Sequence, residues 1–239
     1  SVFELFTNGV VTNRDEWMYD DNKESLLKKV SFFIDHYNYN IDKNFFDESI
    51  KWSEALKNHK KAKRKALFEL RKVTHALYRP FIKKLFYSDL LLNDRLTGNH
   101  KEIFGTDFNQ DNLQIGFLSI ISTHPLSCLA TNTLIDLCLL KQGNGGTQSL
   151  PLYRYSPTGE RIDNITDWSL EQFTTHYKDK KITKEDIFHY VYAVLHHPAY
   201  RKKYELNLKR EFPRIPFYDN FWQWAKWGKE LMQWHIEYE

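Results

Sequence analysis

The spacing of apolar residues changes twice along this chain, and that limits its fold more than any other feature. Leu26, Leu27, Val30, Phe33, Ile34 and Tyr37 recur at three- and four-residue intervals, one face of a helix, and Asp21 with Glu24 makes a capping-box pattern ahead of them. A helix is expected over about 23–39 and a second over about 50–64. From 67 to 155 that spacing disappears. Short apolar runs at 76–78, 85–87, 113–121 and 150–155 alternate with Pro80, Gly98, Gly105, Pro125 and the cluster Gly143-Asn144-Gly145-Gly146, the texture of strands joined by loops. After Arg161 the helical pattern returns. Thr166 or Asp167 can cap a helix bearing Trp168, Leu170, Phe173 and Tyr177, and Thr183 with Asp186 makes a further capping box. Pro198 ends that helix, because the residue before a proline is pushed out of the helical region. A last helix is expected from about Asn220, crowded by Trp222, Trp224, Trp227 and Trp234, which are read as locking it onto the body. The expected class is α+β: N-terminal helices over 21–65 after a leading segment 1–20, a β-rich region with variable loops over 66–160, and a C-terminal helical scaffold over 161–239.

Charge is distributed unevenly. Between 51 and 84 there are twelve Lys or Arg against two Glu, an excess of +10 in a chain whose net charge is +3, so the rest carries −7. Lys57, Lys60, Lys61, Lys63, Arg64 and Lys65 crowd the end of the second expected helix, where they repel one another unless solvent or an anion relieves them. A solvated helix face accounts for such a run. So does a polyanion, because each neutralised phosphate releases condensed counterions. The aromatic content of 17 Phe, 14 Tyr and 7 Trp fits a ring-filled core, with base stacking on exposed rings as the alternative. Two cysteines, Cys128 and Cys138, make neither a disulfide framework nor a zinc site, which fits a reducing, cytoplasmic setting. The apolar stretch around 134–140 contains Asp136 and falls far short of the roughly 20 residues that cross a bilayer, so no membrane partner is expected. The chain opens on Ser1 without a methionine and reads as a fragment or a processed chain.

A search for catalytic patterns returns none. The glycine cluster 143–146 lacks the lysine and spacing of a phosphate-binding loop and does not match a dinucleotide fingerprint. His196 and His197 point two ways from a helix without a third ligand at a fixed offset, and neither cysteine has a neighbouring histidine pattern. No Asn/Asp-Pro-Pro-Tyr-like tetrapeptide of an amino-methyltransferase is present.

Several ordered blocks carry a resemblance. The stretch Thr7-Asn8-Gly9-Val10-Val11-Thr12-Asn13-Arg14-Asp15-Glu16-Trp17 resembles the junction after the methyltransferase domain of type ISP restriction–modification polypeptides. Tyr78-Arg79-Pro80-Phe81 resembles an element of the same region. The C-terminal blocks Asp163 to Asp167, Ile182 to His196, Pro198 to Arg201, Pro213 to Pro216 and Phe221-Trp222 are similar to the family's last segment. The resemblance is weakest over about 93–148, where target-specific loops are expected. It implies a C-terminal target-recognition domain (1–239) that binds double-stranded DNA sequence-specifically, with 1–20 connecting from an upstream methyltransferase domain. The parent polypeptide would be an adenine-N6 DNA methyltransferase and ATP-dependent translocase and endonuclease of the bacterial cytoplasm. S-adenosylmethionine, ATP and Mg2+ would belong to the parent, with no cofactor, metal or catalytic residue in this segment.

On that reading Lys57, Lys60, Lys61, Lys63, Arg64, Lys65, Lys83 and Lys84 would position the duplex through phosphates. Arg95, Asn99, Gln142, Asn144 and Gln148 are candidate base readers, since Arg pairs with guanine and Asn or Gln with adenine in the major groove. Asn13 and Arg14 would contact DNA or brace the junction. Two other readings stay open: a coupling module whose basic patch meets acidic surfaces of other domains, and a small free-standing enzyme with an unrecognised site.

Overall fold

A computed structural model describes residues 1–118, 125–140 and 146–238. It is an α+β fold organised by two hydrophobic cores. The first forms where helix α2 (Lys23–Asn40) packs on a sheet, burying Leu26, Val30, Phe33, Ile34 and Tyr37. The sheet has the order β2 (Tyr19–Asp20), β4 (Ile82–Tyr87), β3 (Val73–Arg79), β7 (Leu134–Ile135). Strands β3 and β4 form a hairpin, and β7 runs parallel to β3. The N-cap of α2 is Asn22, whose side chain accepts from Ser25 N, rather than the Asp21 expected from the capping-box pattern. A one-turn helix α1 (Asp15–Met18) precedes β2.

Helix α3 covers only Glu54–Lys61, shorter than the expected 50–64. Ser53 is extended and caps it through its hydroxyl, and Lys63 at φ 51° turns the chain away at the other end. An unpredicted helix α4 (Gly98–Phe104) interrupts the β-rich region, started by Thr97 and His100 in a reciprocal cap.

The second core is built around helix α6 (Lys184–His196), in which every residue from Ile187 to Leu195 is buried. One side of this core is a sheet of order β1 (Thr7–Asn8), β8 (Thr147–Pro151), β5 (Gln114–Leu118), β6 (Cys128–Thr131). A hairpin of β9 (Tyr153–Tyr155) and β10 (Arg161–Asp163) leads to helix α5 (Asp167–Tyr177), capped by Thr166. Thr183 and Asp186 form the expected capping box of α6. Helix α7 (Pro198–Lys203) starts at the proline, and a short α8 (Glu205–Leu208) follows.

Helix α9 (Phe221–Ile236) lies directly on α6. The contact is so close that a Cβ at Gly228 would sit 1.8 Å from His189 O, so only glycine fits. The buried face of α9 is Phe221, Ala225, Gly228 and Met232. Of its tryptophans, Trp224 stacks on Tyr218, but Trp222, Trp227 and Trp234 lie on the outer faces and are exposed. Trp222 still ties α9 to Asp179 through its indole N–H at 2.9 Å, so the expectation that all four lock the helix down fails for Trp227 and Trp234.

The segment after β1 stitches the sheets together. Val10 N donates to Ile135 O at 2.7 Å and Leu137 N to Val10 O at 2.9 Å, while Gly9 N donates to Thr147 O at 2.9 Å. Gly9 passes so close to Leu137 N that a side chain would clash. Leu77, Leu129, Ile135 and Leu139 fill the space between the sheets.

Candidate nucleic-acid interface

The junction segment supplies a structural anchor. Arg14 is fully buried: its guanidinium donates to Asp94 Oδ1 at 3.0 Å, to the Leu92 carbonyl and to Ser53 Oγ, tying α1, the start of α3 and the chain after β4 together. Burial lowers its pKa and Asp94 opposes that shift. Arg14 thus braces the fold and presents nothing to a ligand. Asn13, at φ 55°, donates to Asp94 Oδ2 at 2.6 Å from the surface side. Beside them lies an acidic cleft of about 780 Å3 with Asp15, Glu16, Glu54 and Asp94 in its lining.

The basic run around α3 is not uniformly available. Lys60 is buried, with its ammonium on the Phe45 carbonyl and 4.3 Å from the centre of the Phe46 ring, and desolvation lowers its pKa. It is a packing residue, which corrects its assignment to phosphate contacts. Lys57 pairs with Glu54 at 2.7 Å and Lys63 with Asp42 at 3.1 Å. Lys61, Arg64 and Lys65 are exposed. The crowding that the sequence left to solvent or an anion is therefore relieved in part internally, by one burial and two carboxylates. Lys83 and Lys84 stand on β4: Lys84 pairs with Asp21 at 3.2 Å, and Lys83 donates to Ile236 O at 3.4 Å. With His75, Asn132 and Thr133 they line a hollow of about 510 Å3.

A groove of about 470 Å3 beside β1 collects the polar groups suited to base edges. It is lined by the strand from Glu4 to Gly9 and by Arg95, Thr97, Asn99 and His100. Arg95 is held at the rim by a two-way backbone bridge to Val11, 2.9 and 3.3 Å, which leaves its side chain exposed. Asn99 is exposed in the first turn of α4. His100 is buried, and desolvation lowers its pKa to about 4, so it is neutral. Its Nδ1 accepts from Thr97 N at 3.0 Å, which puts the proton on Nε2 to donate to Asn8 O at 3.0 Å. That bond fixes Asn8, whose side chain accepts from Gln148 Nε2 at 3.3 Å. Arg95 and Asn99, two of the proposed base readers, thus line one groove and Gln148 adjoins it through Asn8. Gln142 and Asn144 lie outside the described residues. Asn8 was missed: it lies in the stretch read only as a junction, and nothing local marks it as facing a groove.

A Cys–His contact was also invisible in the sequence. Cys128 Sγ lies 3.2 Å from His196 Nε2, with Arg201 Nη2 3.4 Å from the sulfur. Burial pushes the thiol up to about 11, so it stays protonated and unreactive. The contact holds β6, α6 and α7 together.

These features define a module that presents polar and cationic side chains from the edge of a rigid α+β frame. The family model described as the Type ISP C-terminal specificity domain matches residues 1–239, and the chain belongs to that family. Among solved structures, it is similar to the protein of the DrdV–DNA complex determined by cryo-EM, at 42% identity and TM-score 0.92, covering 100% of this chain and 24% of that one. It is similar to a nuclease-deletion mutant of the Type ISP restriction-modification enzyme LlaGI in complex with a DNA substrate mimic, at 29% identity and TM-score 0.83, covering 100% and 22%. It is also similar to the ATP-dependent Type ISP restriction-modification enzyme LlaBIII bound to DNA, at 28% identity and TM-score 0.88, covering 100% and 16%. The chain therefore spans a quarter or less of the length of these proteins. No curated protein matches it. Among the described residues no helix is long and apolar enough to cross a membrane.

Proposed function

We propose that residues 1–239 act as one target-recognition unit that binds double-stranded DNA at a specific sequence, as part of a longer polypeptide. The observation that carries this reading is the match of a specificity-domain family over the whole chain, together with three similar proteins solved with DNA or a DNA mimic. Adenine-N6 methylation, ATP-driven translocation and cleavage would then belong to upstream domains in the bacterial cytoplasm, with S-adenosylmethionine, ATP and Mg2+ held there. Recognition would hold the site while its adenine is turned out of the stack into the methyltransferase pocket, which chemistry on a paired base requires.

The roles divide by surface. Lys61, Arg64 and Lys65, with Lys83 and Lys84, supply positive charge for phosphates, while Arg95, Asn99 and Asn8 offer donors and acceptors to base edges. Gln148 supports Asn8. The cleft by Asp15, Glu16, Glu54 and Asp94 is ill suited to a phosphate backbone. Replacing Arg95 or Asn99 with Ala is expected to cost about 1–3 kcal/mol of discrimination at one base position. The double replacement of Lys61 and Lys65 should weaken binding to all sequences and reduce the salt slope by about 2. Unchanged base preference in the Arg95 and Asn99 variants, read by sequencing bound DNA from a randomised pool, would reject this groove. Bound DNA without any enrichment would favour the coupling-module reading.

A further inference from the structure

The hairpin of β3 and β4 turns through Pro80 and Phe81, with Arg79 paired to Ile82 across the turn. Phe81 sits at φ 58°, a left-handed position that a two-residue turn normally gives to Gly or Asn. A bulky residue with positive φ is a conformational outlier, and this one is 46% exposed, with Ile82 48% exposed and Pro80 exposed beside it. The turn does not demand phenylalanine here: the ring makes T-shaped contacts with His235 and Tyr238, at 5.8 and 5.1 Å between centroids, and stays partly exposed.

The base of the tip is stiff. Arg79 lies 3.8 Å from the Tyr78 ring centre and pairs with Asp136 at 2.9 Å, next to the register shift at 77–79. On the far side of the tip the hairpin continues into Lys83 and Lys84 and the polar hollow they share with His75, Asn132, Thr133 and Asp21, the carboxylate that a phosphate would replace at Lys84. An apolar point on a rigid hairpin, followed at once by cationic side chains, matches what a stacked polyanion requires: charge for the phosphates and an apolar wedge for the gap between bases.

We propose that Pro80, Phe81 and Ile82 form a wedge that enters a base step of the bound duplex and unstacks it, while Lys83 and Lys84 hold the adjacent phosphates. This rests on the DNA-binding reading above and adds a distortion of the DNA to it.

The test uses the full chain and a duplex carrying the sequence it selects, with 2-aminopurine at each position in turn. Binding of the wild-type chain should raise 2-aminopurine fluorescence sharply at one step. Phe81→Gly suits the left-handed turn and preserves the hairpin, which thermal denaturation checks, yet it should abolish that rise and weaken binding at least about tenfold. Phe81→Leu, which restores an apolar wedge, should recover most of both, and neither variant should alter the salt slope. Phe81→Gly with unchanged fluorescence and affinity would overturn the wedge while leaving DNA recognition intact. It would then assign the tip to contact with the rest of the polypeptide. A wild-type chain that binds no duplex even at low salt would overturn the recognition reading itself, and the wedge with it.

Discussion

The core around α2 and the core around α6 differ in how far they lean on charged groups for their polar contacts. Around α2 several links are charged: Arg14 with Asp94, Lys72 with the buried Asp89 at 2.8 Å, Arg79 with the buried Asp136 at 2.9 Å, and Lys60 against a carbonyl and aromatic rings, beside neutral contacts such as Asn93 to the Tyr87 carbonyl at 2.9 Å. Around α6, apart from Arg201 on the Leu195 carbonyl and Cys128, the polar contacts are mostly neutral. Tyr190 OH donates to Pro216 O at 2.8 Å and accepts from Tyr218 N, Tyr200 OH donates to Arg214 O at 3.0 Å, and Tyr192 OH accepts from Ala130 N at 2.8 Å. Removing one partner of a buried ion pair leaves the other charge uncompensated, so the first core is sensitive to the loss of single charged groups that link distant segments. The second is held by ring packing and many single hydrogen bonds, as expected of a frame. Two of the three polar surfaces assigned to DNA border the charged core, through the chain around Arg95 and through the β3–β4 hairpin.

The largest effect that would test this contrast is Arg14→Met. It removes the Arg14 donor from the Leu92 carbonyl and the counter-charge from Asp94, which keeps only Asn13 and Ser53 as donors among the described residues, and should cost about 3–5 kcal/mol, read from the urea midpoint. Arg14→Lys should recover little, because an ammonium cannot reproduce the guanidinium fork. An unaffected midpoint would show that the charged links do not hold the first core. Next comes Gly228→Ala in the second core, where the added methyl meets the His189 carbonyl and should cost about 1–3 kcal/mol, toward the upper end. A neutral result would mean α9 can lift from α6 freely. At neutral pH, where the His196 contribution is already complete, the smallest effect is the one that acid reveals. Burial, with Arg201 and His235 nearby, lowers the His196 pKa from 6.5 to about 3. Folding therefore favours the neutral ring: its contribution is complete above the unfolded value of 6.5 and is lost as pH falls toward 3. His100 in the groove beside β1 follows the same sign, from 6.5 toward about 4. His196→Gln should flatten the acid limb of a stability–pH curve, and an unchanged limb would place the acid sensitivity elsewhere.

Helices α2, α5, α6, α7 and α9 were legible because their caps and apolar stripes are local: Thr166, Thr183, Pro198 and Asn220 each act within four residues of where they stand. Strands β3, β4, β5 and β8 fell on the short apolar runs for the same reason. What failed was non-local. Ser53, which starts α3, also bonds Arg14 and Asp94 through its hydroxyl, 39 and 41 residues away, and no local pattern shows that link. Lys60 reads as one more cation in a basic run, and only the fold places Phe45 and Phe46 around it. Cys128 and His196 are separated by 68 residues, with no pattern to pair them. On α9 composition misled, since three of four tryptophans stand outside the stripe that Gly228 defines.

The central claim is that this chain reads DNA sequence, and one selection tests it most directly: binding of the full chain to a randomised duplex pool across a salt series, with the bound DNA sequenced. Enrichment of one short sequence, with affinity falling steeply as salt rises, is the predicted result. Failure to retain duplex DNA even at low salt, where phosphate contacts are strongest, would contradict it.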